Sequence, residues 1–359
     1  MSPKNKIYLK IFLVGLLVII GEIGWITLKS PDFLIQLGLK NKSSPVSATT
    51  SSFAPTVLLS QFDGMPVSST VEQIPEVLGV MIDNHPDARP QAGLSQARVV
   101  YEAPVEGGLT RYFALFNSNQ AVAKVGPVRS ARPYFLDWLA EYGRSSYWHS
   151  GGSPDALNLI KQYSVWDVNE FFFGPYFWRS SDREAPHNLY TSSEKWHTLI
   201  AGTPHDSANW MGWSFSRDFL PQTGSRSDGT ASSSEVTDLR IRMYGVGWTY
   251  DSSLKRYARL INNKLLYDEA GQKILADTVV VQFVDTDVID EEGRRTVATV
   301  GEGEARFLRD GRMVRATWKK TDRDSRTRFY DAGGNELSFK PGQIWVEVIP
   351  QGTLLEVSS

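Results

Sequence analysis

The fold is organised around residues 102–111, with the sequence EAPVEGGLTR, and two segments that follow it. These are residues 126–133, GPVRSARP, and residues 149–152, HSGG. Each combines ionisable side chains with glycine or proline and lies beside an apolar run. Glycine permits backbone conformations that other residues avoid, so such turns often carry the polar groups of a ligand site. We therefore expect a site in this part of the chain.

The runs around these segments predict an α/β domain with a mixed sheet over residues 74–220. Short apolar runs bounded by turn residues predict strands at residues 77–82, 99–101, 112–116 and 145–148. Proline or serine at a first turn predicts helices that start near Pro133, near Ser153, and near Ser192 or Ser193. Ligands of such sheets bind at strand ends.

The remainder of the chain predicts a second domain, at residues 236–359, that is mainly antiparallel β. Residues 221–235 are rich in serine and glycine and are interpreted as the linker. Turn residues separate β-rich runs with little helical pattern. These runs are residues 236–241, 256–261, 278–284, 296–300, 305–308, 314–318 and 344–349.

The first 30 residues predict a signal anchor. Three lysines in the first ten residues precede a largely apolar stretch that continues to Leu28, a pattern typical of a secretory signal or anchor. As a helix this stretch would span roughly 30 Å, the thickness of a bilayer core. We expect a single transmembrane helix, with the C-terminal bulk outside the cell membrane, and a flexible tether at residues 31–73.

Composition excludes several classes of protein. The net charge of -2 gives no basic field, so no nucleic-acid partner is expected. The sequence contains no cysteine, which excludes disulfides, thiolate metal sites and cysteine nucleophiles.

Three arginines are the main candidates for ligand binding: Arg111, Arg129 and Arg132. A guanidinium group presents a planar fork of donors that matches phosphate or carboxylate. Three carboxylates are candidates for acid or base catalysis: Asp83, Glu102 and Glu106. The alternative is that these carboxylates and arginines pair with one another and support the fold.

Three histidines and an asparagine lie in the same polar segments: His85, His149, His187 and Asn188. They are candidate ligand-binding residues, with a structural role as the alternative. No HxH or HxxxH spacing is present, so no metal site is predicted.

Several blocks together resemble the YerB-like family of bacterial envelope proteins, a two-part domain of unknown function. The blocks are residues 80–91, 99–102, 105–111, 125–133, 149–154, 186–192, 316–320, 329–331 and 342–348. The resemblance implies an extracytoplasmic location. Many members look like lipoproteins, whereas this chain has an apparent helical anchor in place of a lipid-bearing cysteine.

A second resemblance is to the LytR-CpsA-Psr phosphotransferases, which hold a polyprenyl pyrophosphate with arginines. Asp83, Arg129, Arg132 and the glycines at 151–152 would occupy analogous places. This resemblance implies transfer of a polymer to peptidoglycan, with Mg²⁺ as a cofactor if the reaction is of that type.

The sequence thus predicts a membrane-anchored envelope protein whose cleft binds an anionic or glycan component, either a cell-wall polymer or a lipid-linked precursor. One alternative is an enzyme that processes such a polymer, by phosphotransfer or by acid/base glycan cleavage. The other is a scaffold that binds a protein partner without a ligand.

Overall fold

The computed structural model describes residues 57–203, 208–216 and 233–359. Residues 57–359 form one compact unit. The predicted anchor at residues 1–30 and most of the predicted linker at 221–235 lie outside the described residues. Where the chain is described, no helix is long and apolar enough to cross a membrane.

The described part of the chain contains four α-helices and many short strands. The helices are α1 (Thr70–Gln73), α2 (Phe135–Ala140), α3 (Pro154–Gln162) and α4 (Ser193–Ala201). The strands are β1 (Val77–Asp83), β2 (Val99–Pro104), β3 (Thr110–Asn117), β4 (Ser146–His149), β5 (Trp166–Asn169), β6 (Trp178–Arg179), β7 (Leu189–Tyr190), β8 (Ser234–Glu235), β9 (Asp238–Ile241), β10 (Val246–Asp251), β11 (Arg256–Ile261), β12 (Lys264–Leu265), β13 (Leu275–Ala276), β14 (Thr278–Val284), β15 (Thr286–Val288), β16 (Arg295–Val297), β17 (Gly301–Arg309), β18 (Arg312–Lys320), β19 (Arg328–Tyr330), β20 (Ile344–Pro350) and β21 (Leu355–Ser358).

Two sheets contain most of these strands, and β6–β7 and β15–β16 form separate two-stranded sheets. Among the described residues, the large sheet has eleven strands, with β8 paired to β18 and the others in the order β19-β18-β17-β14-β20-β2-β3-β1-β4-β5. The smaller sheet has six strands, with β13 paired to β11 and the others in the order β12-β11-β10-β9-β21. The predicted mixed sheet followed by a mainly antiparallel region is confirmed. In addition, β2 pairs with β20, so strands from both parts of the chain share one sheet.

The large sheet is covered on both faces, which explains its fully buried central strands. Val99 and Tyr101 of β2 pack into a core that includes residues of α2 and α3. Val100 points to the opposite face, into a core that includes α4 and the six-stranded sheet. Successive side chains of a strand point to opposite faces, so a strand buried on both sides is apolar throughout.

Local signals set the helix starts. The Ser153 side chain accepts a hydrogen bond from the Ala156 backbone N–H at 3.3 Å, and Pro154 occupies the first turn of α3. Ser192 caps α4 in the same way, by accepting from the Lys195 N–H at 3.4 Å. These caps satisfy backbone donors that have no partner within the helix. Both predicted helix starts are confirmed.

The folded unit begins before Ile74. Phe62 is 1% exposed, and its ring lies 5.6 Å from the ring of Tyr142 and 6.2 Å from that of Trp210. Residues 57–73, which fall in the predicted tether, therefore contribute to the core. The signal there is a short apolar run at residues 57–59 followed by Phe62, which an argument from overall composition does not detect.

A buried ionic triad joins the two sheets. Arg259 of β11 is fully buried and donates hydrogen bonds to Glu102 of β2 and to Glu347 of β20. The two glutamates are direct neighbours in the parallel pair β2–β20. The guanidinium also lies 5.2 Å from the ring of Trp248 and 5.0 Å from that of Trp345.

One guanidinium stands between two buried carboxylates, so one negative charge is left without compensation. Burial raises the pKa of Glu347 to about 8, because the favourable effect of Arg259 is opposed by the nearby Glu102. Close like charges in a buried site favour retention of a proton.

Replacing Arg259 by methionine should destabilise the protein by about 3–5 kcal/mol, because the change leaves the buried acidic pair Glu102 and Glu347 without its cation. Urea unfolding at pH 7 measures the loss. Arg242→Met is the matched control, because the Arg242–Glu356 pair is exposed (64% and 52%) and should contribute less than about 1 kcal/mol. Equal effects of the two substitutions would contradict a structural role for the triad.

Candidate functional site

The three segments quoted at the outset meet at one edge of the large sheet. Asp83 is the last residue of β1 and His149 the last of β4, and these strands run parallel. The turn at residues 105–109 connects β2 to β3 at the same edge. The loop before α2 crosses this edge, where Ala131 forms a bridge with Gly152. Ligands bind at the carboxyl ends of strands in sheets of this kind.

Asp83 is the centre of the polar cluster and is 4% exposed. Its Oδ2 lies 2.9 Å from Nε of Arg129 and 2.7 Å from Nδ1 of His187, and its Oδ1 accepts from the backbone N–H of His85 at 3.0 Å. Burial alone would raise the pKa of Asp83, but Arg129, these two hydrogen bonds and Arg111 lower it below the ordinary value of 3.8. Asp83 is therefore ionised at neutral pH.

Two histidines stack beside Asp83. The rings of His85 and His187 lie 4.6 Å apart at 17°. Because ionised Asp83 only accepts, Nδ1 of His187 carries a proton in this contact, which leaves Nε2 as the second nitrogen of that ring. A carboxylate that orients an imidazole in this way is the arrangement of a general base.

The cluster does not fit a metal ion well. His85, Asp87 and His187 offer ligand atoms that lie within 4.8 Å of one another. However, nearly parallel rings direct their lone pairs along parallel planes, so the two imidazoles do not converge on one ion at the roughly 2.1 Å that nitrogen ligation requires. Mg²⁺ prefers oxygen ligands, and both oxygens of Asp83 face cationic or N–H groups. The residues therefore do not match the Mg²⁺ of a phosphotransferase.

Arg132 and Glu106 form a two-point ion pair beside this cluster. Nε and Nη2 of Arg132 donate to the two carboxylate oxygens of Glu106 at 2.5 and 2.7 Å. Burial raises the pKa of Glu106, but the Arg132 contacts outweigh burial, and the pKa falls below its ordinary value of 4.5. A carboxyl group that remains ionised is a poor proton donor, so this environment disfavours Glu106 as the acid of glycan cleavage.

Arg111 lies between the two ion pairs and has excess positive charge around it. It is 7% exposed, and its Nη1 donates to the carbonyl oxygen of Ser130 at 2.7 Å. Within the described residues its buried Nε has no hydrogen-bond partner. Burial and the nearby Arg132 lower the pKa of Arg111 to about 10, and Asp83 and Glu106 offset this only in part. A bound anion would supply the missing negative charge.

Glu102, which the sequence offers as a catalytic carboxylate, is not available to a ligand. It is 1% exposed and is bound to Arg259. Its second oxygen accepts from Thr110 at 2.5 Å and from Asn84 at 3.2 Å. Glu102 therefore has a structural role and not the predicted catalytic one, because every contact of its carboxylate lies inside the protein.

His149 and Asn188 also support the site rather than face a ligand. His149 is fully buried, and its ring nitrogens lie 2.7 Å from the carbonyl oxygen of Gly151 and 2.6 Å from the carboxylate of Asp167. Asn188 donates from its side-chain amide to carbonyl groups at positions 180 and 183. Their contacts hold the turn after β4 and the loop that carries His187.

A pocket of about 280 Å³ adjoins the arginine cluster. Arg132 is part of its wall, together with side chains of α2 and α3 and of the β15–β16 hairpin. Sequence reasoning missed this pocket, because the hairpin reaches the site only through tertiary packing. The added lining residues that matter chemically are Tyr134, Asp137, Asp155, Tyr163, Arg294 and Arg295.

A larger cavity of about 590 Å³ lies elsewhere, lined by Trp210 and by basic residues of the C-terminal part. Its basic side chains have acidic partners. Lys319 pairs with Glu302 at 2.8 Å, and Arg328 pairs with Glu336 at 2.7 Å. Because these charges are already compensated, this cavity makes a weaker anion site than the arginine cluster.

Comparison with known proteins identifies a family, a relative and a related crystal structure. Residues 63–205 match a family described as "Protein of unknown function (DUF3048) N-terminal domain", and residues 237–346 match the C-terminal domain of the same family. The Bacillus subtilis (strain 168) protein "Putative lipoprotein YerB" is 31% identical over 283 residues, which cover 76% of this chain and 81% of that protein. A crystal structure of YerB from Bacillus subtilis matches with a TM-score of 0.71 and 26% identity, covering 84% of this chain and 100% of that one.

Asp83→Asn should destabilise the protein at pH 7 by about 1–3 kcal/mol, because the change removes the partner of Arg129 and His187. The pKa of Asp83 is lower in the folded than in the unfolded chain, so its charge stabilises the fold above the ordinary pKa of 3.8 and this contribution is lost as the pH falls through the folded pKa.

Urea unfolding of both proteins between pH 7 and pH 2 tests this expectation. The difference between wild type and Asp83→Asn should be present at pH 5 and shrink below pH 4. Asp285→Asn, at an exposed position, is the control and should match wild type throughout. A difference that stays constant down to pH 2 would contradict an ionised Asp83 as the centre of the cluster.

Proposed function

Because the chain belongs to the two-part DUF3048 family, whose description assigns no activity, we propose from its site that it is a membrane-anchored envelope protein that binds an anionic component of the envelope. The resemblance to the YerB-like family drawn from the sequence is thereby confirmed. The binding groups are Arg111, Arg129 and Arg132.

The observation that carries the proposal is the uncompensated charge at Arg111. Three guanidinium groups face two carboxylates in this cluster, and Arg111 is the one without an ion pair among the described residues. A buried cation without a counterion is unfavourable. The same environment gives a bound anion a strong interaction, because water is largely excluded and the donors are already positioned.

Location is supported by two observations. The first 30 residues have the pattern of a signal anchor, and a relative carries a name that describes it as a lipoprotein. The 359 residues contain no cysteine to which a lipid could be attached. We therefore propose that this chain is held at the membrane by its N-terminal apolar segment, with its folded unit outside the cytoplasm.

The chemistry of the donors favours phosphate or pyrophosphate groups as the ligand. Arginine forks match these groups, and several oxygens of one phosphate can accept from more than one arginine. Such groups occur in lipid-linked precursors and in anionic wall polymers. Glycan cleavage is less well supported, because Glu106 is ionised and paired with Arg132.

Calorimetric titration of the full-length chain in detergent with pyrophosphate, at pH 7 and low salt, tests the proposal. We expect saturable binding that weakens at least tenfold in Arg111→Gln, since a charge-assisted hydrogen bond contributes about 1.5–3 kcal/mol. The control is Arg315→Gln, an exposed arginine of β18 outside the cluster. Thermal unfolding of each variant confirms folding, and Arg111→Lys provides a second test that retains the charge. Absence of binding in wild type, or equal binding in Arg111→Gln, would contradict the proposal.

A further inference from the structure

The pocket beside Arg132 contains two opposite types of polar group. Asp137 and Asp155 offer acceptors when ionised, whereas Arg294 and Arg295 offer only donors. An inorganic anion would be repelled by the carboxylates. Asp137 already accepts a hydrogen bond from Thr299, and Arg294 is paired with Asp290. Asp155 and Arg295 form no hydrogen bond or ion pair with the described residues, so an apolar group would leave these two without partners. A hydroxyl group both donates and accepts, so a polyhydroxylated ligand can satisfy both types at once.

The remaining wall of the pocket is apolar or aromatic. It includes Leu159 of α3 and Tyr163, which directly follows that helix, together with Ile289 and Val297 of the β15–β16 region. One face of the Tyr163 ring is covered by the guanidinium of Arg323 at 3.9 Å. Binding pockets commonly combine apolar walls with a few polar groups that fix the orientation of the ligand. The C–H face of a sugar ring suits such a wall.

Arg132 connects this pocket to the proposed anion site. Its Nε and Nη2 donate to Glu106, and its Nη1 donates to the carbonyl oxygen of Ala131 at 2.7 Å. Arg295, also in the pocket wall, is half-buried, and no ion pair or hydrogen bond of its guanidinium is formed with the described residues. An anionic group between these arginines would lie at the mouth of the pocket.

From this juxtaposition we propose that the pocket is a subsite for one sugar ring, and that the ligand is a sugar phosphate whose phosphate contacts the arginine cluster. This inference rests on the proposed function, because it assigns the group attached to the anion. The volume of about 280 Å³ accommodates one monosaccharide. The C-terminal hairpin then determines specificity, and the N-terminal part supplies the binding of the charge.

Calorimetric titrations of the full-length chain in detergent with glucose 1-phosphate and with inorganic phosphate test the subsite. Wild type should bind the sugar phosphate at least tenfold more tightly than phosphate. Leu159→Trp fills the pocket from α3 and should remove this preference without changing the affinity for phosphate. Asn158→Trp is the matched control. Asn158 is next to Leu159 on the same helix, but it is exposed and lies outside the pocket.

Thr296→Trp fills the pocket from the hairpin at an exposed position and provides a second variant if Leu159→Trp does not fold. Equal affinities for the two probes in wild type, or a preference that survives in the folded filled variants, would overturn the sugar subsite alone. Binding of an alanyl-alanine dipeptide that is lost in the filled variants, with no preference for the sugar phosphate, would also overturn it. No binding of phosphate by wild type would overturn the anion site and this subsite together.

Discussion

The rest of the structure depends on the burial of Arg259 between Glu102 and Glu347. This contact joins the six-stranded sheet to the middle of the eleven-stranded sheet, at the point where β2 and β20 pair. The triad also reaches the site, since Glu102 accepts hydrogen bonds from Asn84 and Thr110. These two residues follow Asp83 and precede Arg111 in the chain, so the ionic contact fixes the backbone on both sides of the candidate site.

The site differs from the triad in how its charge is balanced. In the triad negative charge is in excess, and burial together with the nearby Glu102 raises the pKa of Glu347 to about 8. In the cluster positive charge is in excess, and burial together with the nearby Arg132 lowers the pKa of Arg111 to about 10. A proton taken up from water can neutralise the first excess, whereas an arginine hardly deprotonates at neutral pH. A bound anion is therefore the natural partner of the second.

The sequence was informative where local chemistry decides the structure and uninformative where distant residues do. Apolar runs predicted β1, β2 and β3, and the serine caps predicted α3 and α4. The sequence also grouped Asp83, Arg129 and His187, whose motifs end at one sheet edge. Glu102 was misassigned, because its partner Arg259 lies 157 positions away. The pocket was missed for the same reason, since the β15–β16 hairpin joins it only in the folded chain.

The central claim is that the arginine cluster holds a tetrahedral anion, and crystallography with tungstate tests it most directly. Tungstate resembles phosphate in shape and charge, and its anomalous scattering locates the metal atom without ambiguity. The account predicts a peak within hydrogen-bonding distance of the Arg111 or Arg132 guanidinium that disappears in Arg111→Gln crystals. Tungstate bound at full occupancy on another basic surface, with no peak at this cluster, would contradict the account.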